Sequence, residues 1–417
     1  MKLKVMVLGQ GGREHALVKA LAATAEVHAW PGNDGIALEA TCTGGALVDH
    51  QGILQYVKEK KIDLVVVGPD QALADGVVDF LEEHSIPTFG PRKSSARLEW
   101  SKIFSKEFMT QAGLPTAKYQ IVKSVKEVES ALLNFTPPYV LKADGLALGK
   151  GVFICKTKEE LLESAKAIFE QKTLGPAGES ALLEQFSPGW ELSLHILTNG
   201  KTFELFPGAQ DHKRLKDHDE GPNTGGMGAV APVQISPELM EQIQTRVLEP
   251  LMKHMQKIQM DYRGVLYLGL MITSEGPSLL EFNARFGDPE AQIFLPLLEG
   301  DWTEIFVQIV QGKVPKLHWK NKAAACVVLA APGYPDNAQK GVSVQGSFKS
   351  LKNSYILHAG TKKQNDEWVT NGGRVLNAIG IGNTLEQALK NAYAQVQQIS
   401  WKGLQYRKDI GQKVKGL

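Results

Sequence analysis

Apolar positions in the first hundred residues alternate between two periods. "KVMVLG" and "DLVVVGPD" are short unbroken apolar runs, the signature of a strand buried on both faces. "EHALVKALAAT" and "ALADGVVDFLEEH" repeat at three and four residues, as a helix with one apolar face does. Strand and helix in turn predict βαβ units on a parallel sheet covered on both sides. Ligands of such sheets bind beyond the carboxyl ends of the strands, where "GQGGREH" and "GPDQ" fall.

Beyond residue 100 the pattern changes. A smaller α+β unit is predicted over about 118–190, from the strands "PYVLKA", "GVFIC" and "ALLEQF" and the helix "KEELLESAKAIFE". Residues 209–229, "AQDHKRLKDHDEGPNTGGMGA", carry no usable period, and a polar loop of that length is either functional or disordered. Order returns with the helix "SPELMEQIQTRVLEPLMKHMQKIQ" and the strands "GVLYLGLMIT" and "SLLEFNAR". From about 318 a β-rich unit follows, closed by the helix "TLEQALKNAYAQVQQI". The expected architecture is a multi-domain α/β protein divided at 1–100, 101–317 (with 118–190 as a lid) and 318–417 as an α+β domain.

Within "LLEFNARFGDPE" the polar residues Glu281, Asn283 and Arg285 alternate with Leu280, Phe282 and Ala284. A strand has a side-chain period of two, so the three polar groups are expected on one face and the three apolar ones on the other. That is the pattern of a solvent-facing edge strand, and equally of a carboxylate, an amide oxygen and a guanidinium turned to one cavity. Mg²⁺ suits the second reading, because it takes one or two protein oxygens and completes its shell with phosphates and water.

Composition narrows the partners. Over 417 residues the net charge is +1, so no global field draws in nucleic acid or an anionic membrane, and any anion site is local. The three cysteines, Cys42, Cys155 and Cys326, show neither a disulfide framework nor a CxxC spacing, which fits a reducing compartment. The opening apolar run is too short for a signal-peptide core, and no apolar segment is long enough to span a bilayer. The expectation is a cytoplasmic monomer with small-molecule partners, and with neither nucleic acid nor membrane among them.

Four further stretches could carry chemistry. "GQGGREH" lacks the third glycine of the dinucleotide fingerprint, Glu14 standing in its place, and reads either as a tight strand–helix turn or as a phosphate-binding turn reinforced by Arg13. "LKADGLALGKG" is no Walker A loop, since three residues separate Gly145 from Gly149 and Gly151 follows Lys150; it reads as a glycine flap over phosphates or as a plain hairpin. Lys142 ends an apolar strand just before it, while Lys102 and Lys106 share a helix face in the manner of solvated surface. Glu184 and Glu191 close and open adjacent strands. In the long loop, "DHKR" clusters charge and "PNTGGMG" offers backbone N–H groups to an anion. Lysines, a glycine flap, a carboxylate–amide pair and an arginine together are what phosphoryl transfer from ATP requires.

These segments, in this order, resemble the ATP-grasp superfamily and, within it, the phosphoribosylamine–glycine ligase family. The likeness is carried by "VLGQGGREHAL", "PGNDG", "DLVVVGPDQ", "KADGLALGKGV", "QDHKR", "GPNTGGMGA", "EFNARFGDPE" and "TNGGRVL", which run from residue 5 to residue 376. It implies an ATP-grasp fold between an N-terminal parallel-sheet domain and a C-terminal β-rich domain. It also implies ligation of glycine to 5-phosphoribosylamine with ATP and Mg²⁺ or Mn²⁺, through glycyl phosphate. By motif position, Lys102, Lys142, Gly149, Lys150, Gly151, Glu184 and Glu191 would contact ATP, and Glu281 and Asn283 the metal. Arg285, Lys213 and Asp211 would act in catalysis. Gly11, Gly12, Arg13, Glu14, Asn33, Asp70, Arg214, Thr224, Gly225, Gly226 and Met227 would receive the substrates.

Overall fold

In the computed structural model, which describes residues 2–146 and 151–416, the N-terminal sheet has five strands. Their order is Thr41–Cys42, Glu26–Pro31, Lys4–Gly9, Leu64–Val67, Thr88–Phe89, and every pairing is parallel. Val5, Met6, Val7 and Leu8 are fully buried, as the unbroken run requires of a strand covered on both faces. The sheet grows from Lys4–Gly9 first to one side and then, with Leu64–Val67, to the other. A reversal of this kind leaves a crevice at the carboxyl ends of the two central strands. The helix expected in "ALADGVVDFLEEH" is two, Asp70–Asp75 and Val77–Glu83, because Gly76 adopts φ +90° and ends the first.

The segment expected as a lid is a four-stranded antiparallel sheet in the order Tyr119–Val122, Ala181–Gln185, Tyr139–Ala143, Val152–Cys155. Helices Val125–Ala131 and Lys158–Phe169 pack with it over a separate core that includes Leu141, Leu161, Ile168 and Leu183. A second antiparallel sheet runs Phe203–Leu205, Trp190–Thr198, Gly264–Thr273, Gly276–Asn283. The long helix before it is interrupted by a π turn at Gln244–Leu248. Pro250 has no N–H for the carbonyl four residues back, and the turn ahead of it widens.

The stretch 209–229 is not structureless. Gln210–Asp211 and Gly228–Ala231 are the first two strands of the C-terminal sheet, followed by Ala323–Ala330, Arg374–Gly382 and Ser354–His358. Between them Arg214–Lys216 pairs with Glu220–Asn223. These strands are two to four residues long, and the sheet is joined through Ala323–Ala330, far along the chain from Gly228–Ala231, so no local period marks them. Leu8 and Val67 of the first sheet share one core with Leu194, Leu268 and Phe282 of the central sheet. Val7, Ala229, Cys326 and Ile379 share another. Three sheets therefore meet in common cores, while the lid keeps its own.

Candidate active site

A cavity of about 1200 Å³ opens where the lid, the central sheet and the two terminal sheets converge. Strand Gly276–Asn283 forms its floor. Leu279 and Phe282 turn to the core, each burial stabilising by about 1.5–3 kcal/mol, and so decide which face looks outward. Glu281 and Asn283 then face the cavity, with Arg285 just past the strand end. Leu280, expected on the inner face, lines the cavity as well. The pairing slips between Gly269 and Leu270, so that Glu281 and Leu279 take consecutive partners and Leu280 bulges out.

Lys213 lies between two carboxylates, 3.2 Å from Glu281 Oε1 and 3.2 Å from Glu191 Oε2. Burial opposes its charge, but Glu191 and Glu281 outweigh that and hold the ammonium well above the usual lysine range. Lys213 chiefly, against burial and with Lys142 and Lys102 adding, draws Glu281 down to about 2. Arg285 donates to Asn283 Oδ1 at 3.1 Å and pairs with Glu99 at 2.6 Å. Burial, with Asp70 adding, lifts the Glu99 carboxyl to about 7 against the pull of Arg285.

The lysines near the lid are not the solvated face their spacing suggested. Lys106 is 2% exposed and shares Glu184 with Lys142, at 3.3 and 3.0 Å. Burial lowers Lys106 to about 8, with Glu184 opposing. Lys102 donates to the carbonyl of Gly145 at 2.8 Å, where the glycine-rich stretch begins. Gly149 and Lys150 lie outside the described residues; Gly151 lines the cavity and accepts from the Ala143 N–H.

At the N-terminal turn Glu14 folds back onto its own loop. It accepts from the Gly11 N–H at 2.6 Å and from Arg13 Nε at 2.7 Å. A Cβ on Gly9 or Gly68 would stand 2.4 and 2.3 Å from its side chain, so the glycines form a cradle that this carboxylate fills. Arg13 and Asp70 reach the cavity; Gly11, Gly12, Glu14 and Asn33 are not among its lining residues. The Asn33 carboxamide is committed to backbone groups, donating to Gln10 and Ala359 carbonyls and accepting from Gly35 and Ile36. In the former loop Asp211, Lys213, Arg214, Thr224 and Gly225 line the cavity, whereas Gly226 and Met227 lie behind them. Burial, with Glu290 adding, raises the Asp211 carboxyl well above its ordinary value.

Reading the residues alone did not single out Glu99, Asp288, Glu290 or Arg374, and took Lys106 for solvated surface; all five are on this cavity. Arg374 pairs with Asp288 at 2.8 Å and donates to the Gly225 carbonyl at 2.8 Å. It comes from a distant strand of the C-terminal sheet, and only the likeness of "TNGGRVL" hinted at it. Glu99 had a local signal: it falls three residues after buried Ala96, on the inner stripe of helix Lys93–Trp100. Among the described residues no three or more His, Cys, Asp or Glu are grouped to hold a metal. A carboxylate and an amide oxygen beside room for phosphates still fit Mg²⁺, which needs no larger protein cage.

Models of phosphoribosylglycinamide synthetase match this chain in three parts: the N domain over residues 3–99, the ATP-grasp (A) domain over 100–291 and the C domain over 324–413. A phosphoribosylamine–glycine ligase of Nostoc sp. is 44% identical, covering 99% of this chain and 100% of the relative. A trifunctional purine biosynthetic protein of Gallus gallus is 43% identical over 98% of this chain, which spans 42% of that longer protein. The crystal structure of a phosphoribosylamine–glycine ligase from Thermotoga maritima superposes with a TM-score of 0.87 at 36% identity, covering 98% of this chain and 100% of that one. A biotin carboxylase domain from Hydrogenobacter thermophilus, at 18% identity and a TM-score of 0.74, shares the fold.

Proposed function

Because the chain belongs to the phosphoribosylglycinamide synthetase family, ATP-dependent ligases that join glycine to 5-phosphoribosylamine in purine biosynthesis, we propose that the Glu281 cavity performs that ligation through a glycyl phosphate. The division into residues 1–100, 101–317 with a lid at 118–190, and 318–417 belongs to this reading, and the three matched models support it.

Lys102, Lys142 and the flap residues Gly149, Lys150 and Gly151 bind the phosphates of ATP. Glu184 holds Lys142 and Lys106 in place from below, and Glu191 flanks the nucleotide. Glu281 and Asn283 would hold Mg²⁺ or Mn²⁺, which would supply positive charge beside the outer phosphates and so favour attack at the γ-phosphorus. The glycine carboxylate attacks that phosphorus and ADP leaves, while Arg285 and Lys213 take up charge on the transferred oxygens. The amine of phosphoribosylamine then attacks the acyl carbon, phosphate departs, and Asp211 accepts the amine proton. A carboxyl raised by burial and a neighbouring negative charge is suited to that base role. Arg13, Asp70, Arg214, Thr224 and Gly225 receive the phosphoribosylamine. Gly11, Gly12, Glu14, Asn33, Gly226 and Met227 act through the shape of the loops that carry them.

The observation that carries this reading is Lys213 at 3.2 Å from Glu281 in a cavity that also receives Asn283, Arg285, Arg13 and Asp70. We place the enzyme in the cytoplasm as a monomer, with neither nucleic acid nor membrane as partner. Three free cysteines, which suit a reducing compartment, support the cytoplasmic part of that placement. Nucleotide products measured with glycine and phosphoribosylamine withheld in turn test the chemistry. Full turnover to ADP and phosphate should need both substrates. Release of AMP and pyrophosphate, or an undiminished rate without glycine, would overturn it.

A further inference from the structure

We infer that Glu99 is the positioning residue that fixes the Arg285 guanidinium toward the transferred phosphoryl group. The inference rests on the reading of Arg285 given above. Glu99 projects from helix Lys93–Trp100, and its side chain is 7% exposed. One carboxylate oxygen lies 2.6 Å from Arg285 Nη2, and the other accepts the Ala284 N–H at 2.8 Å. The two oxygens thus grip consecutive residues, one through the side chain and one through the backbone. Slippage of the chain just past strand Gly276–Asn283 would break both bonds at once.

The remaining contacts of Arg285 show what this grip accomplishes. Nη1 donates to the Phe286 carbonyl at 3.1 Å, and Nη2 also reaches Asn283 Oδ1. Nε is buried and has no partner among the described residues. A buried N–H left bare costs free energy, so it persists where a ligand completes it. A guanidinium is planar and rigid; once Nη1 and Nη2 are bonded, the direction of Nε is set. Among the described residues Glu99 supplies the one carboxylate bonded to Arg285, whose other partners are a carbonyl and an amide oxygen.

Glu99 also joins two parts of the site. Two and four residues further on, the Ser101 hydroxyl and the Ile103 N–H bond to the Asp144 carboxylate at 3.4 and 3.1 Å, just before the glycine-rich stretch. One short segment, 99–103, therefore holds the arginine at the reacting end and the base of the flap over the phosphates. No nucleophile or base is needed from Glu99; its effect passes through Arg285.

A double-mutant cycle tests this. Glu99→Gln keeps the shape and the Ala284 bond but turns the paired oxygen into a neutral amide, and should lower kcat by about 100-fold with KM for ATP changed less than about twofold, as misplacement of a positioned group does. In the Arg285→Ala background the same change should cost less than about twofold, because the two residues act as a unit. Glu99→Asp should recover part of the loss. Thermal melting verifies the fold, and should E99Q not fold, E99D in the same cycle carries the comparison. Losses that multiply in the double variant, or an E99Q enzyme at the parental kcat, overturn the inference alone. An R285A enzyme at the parental rate overturns the reading of Arg285 and this inference with it.

Discussion

Glu14 and Glu281 are both carboxylates held by a cation, Arg13 at 2.7 Å in one case and Lys213 at 3.2 Å in the other. Their surroundings differ. The Glu14 side chain is 4% exposed, its cation is the adjacent residue, and it fills a space left by Gly9, Gly11 and Gly68. The Glu281 side chain is 37% exposed, and its cation arrives from a loop 68 residues away in sequence. The first pair is closed within one turn and shapes it. The second opens onto a cavity, where, in the function proposed above, a divalent ion and phosphates take over its contacts. A charged residue in a glycine-rich turn is thus no guide to ligand contact until its other partners are known.

The largest separation between the two pairs is expected from Glu281→Ala. ADP formation should fall by about three orders of magnitude, the scale of losing a charge-stabilising group in phosphoryl transfer. The melting temperature should move little, since Lys213 keeps Glu191 at 3.2 Å. Coupled assay and thermal melt on one preparation decide it. A parental rate of ADP release would mean that the open pair is as structural as the closed one.

Glu14→Ala should act on stability instead. It leaves Arg13, 7% exposed, without its carboxylate and empties the glycine cradle, a combination that costs about 3–5 kcal/mol when a buried pair is broken on one side. Urea denaturation measures it. A loss below about 1 kcal/mol would show that the turn tolerates an empty cradle and that its glycines serve a ligand.

The same contrast explains what could be read from the chain in advance. Strand Lys4–Gly9 and strand Gly276–Asn283 were legible because burial on both faces, or on one, writes a local pattern of apolar residues. That Glu281 and Asn283 share a face followed from that pattern; that the face lines a cavity rather than an open edge did not. Nor did the place of Leu280, because the bulge depends on how the neighbouring strand pairs. The Lys106–Glu184–Lys142 cluster joins a helix to two lid strands, and Arg374 meets Asp288 from 86 residues away. Contacts of that kind leave no trace in spacing. Gly228–Ala231 was hidden for the same reason, since it joins the sheet through Ala323–Ala330, and Gln210–Asp211, two residues long, joins it only through Gly228–Ala231.

The smallest effect compares the two regions by acid. Each carries a buried histidine beside it: His358, stacked on His15 of the N-terminal helix, and His212, between Asp211 and Lys213. Burial, with His15 adding, lowers His358 to about 3; burial, with Arg407 adding, lowers His212 to about 4. Between these values and about 6.5, the usual histidine pKa, the unfolded chain binds a proton that the folded chain refuses. Stability therefore falls as pH falls through that window, by about 1.4 kcal/mol per pH unit for each histidine. Glu99, raised to about 7, works in the opposite sense and is common to every protein compared. Unfolding free energies at pH 6 and pH 5 should fall less in His358→Gln than in the parent, and likewise in His212→Gln, by about that increment each. If both variants keep the parental slope, neither ring is held neutral by the fold. If only one does, that region already admits water, and the cavity wall at Asp211 is the one expected to do so, because a substrate must enter there.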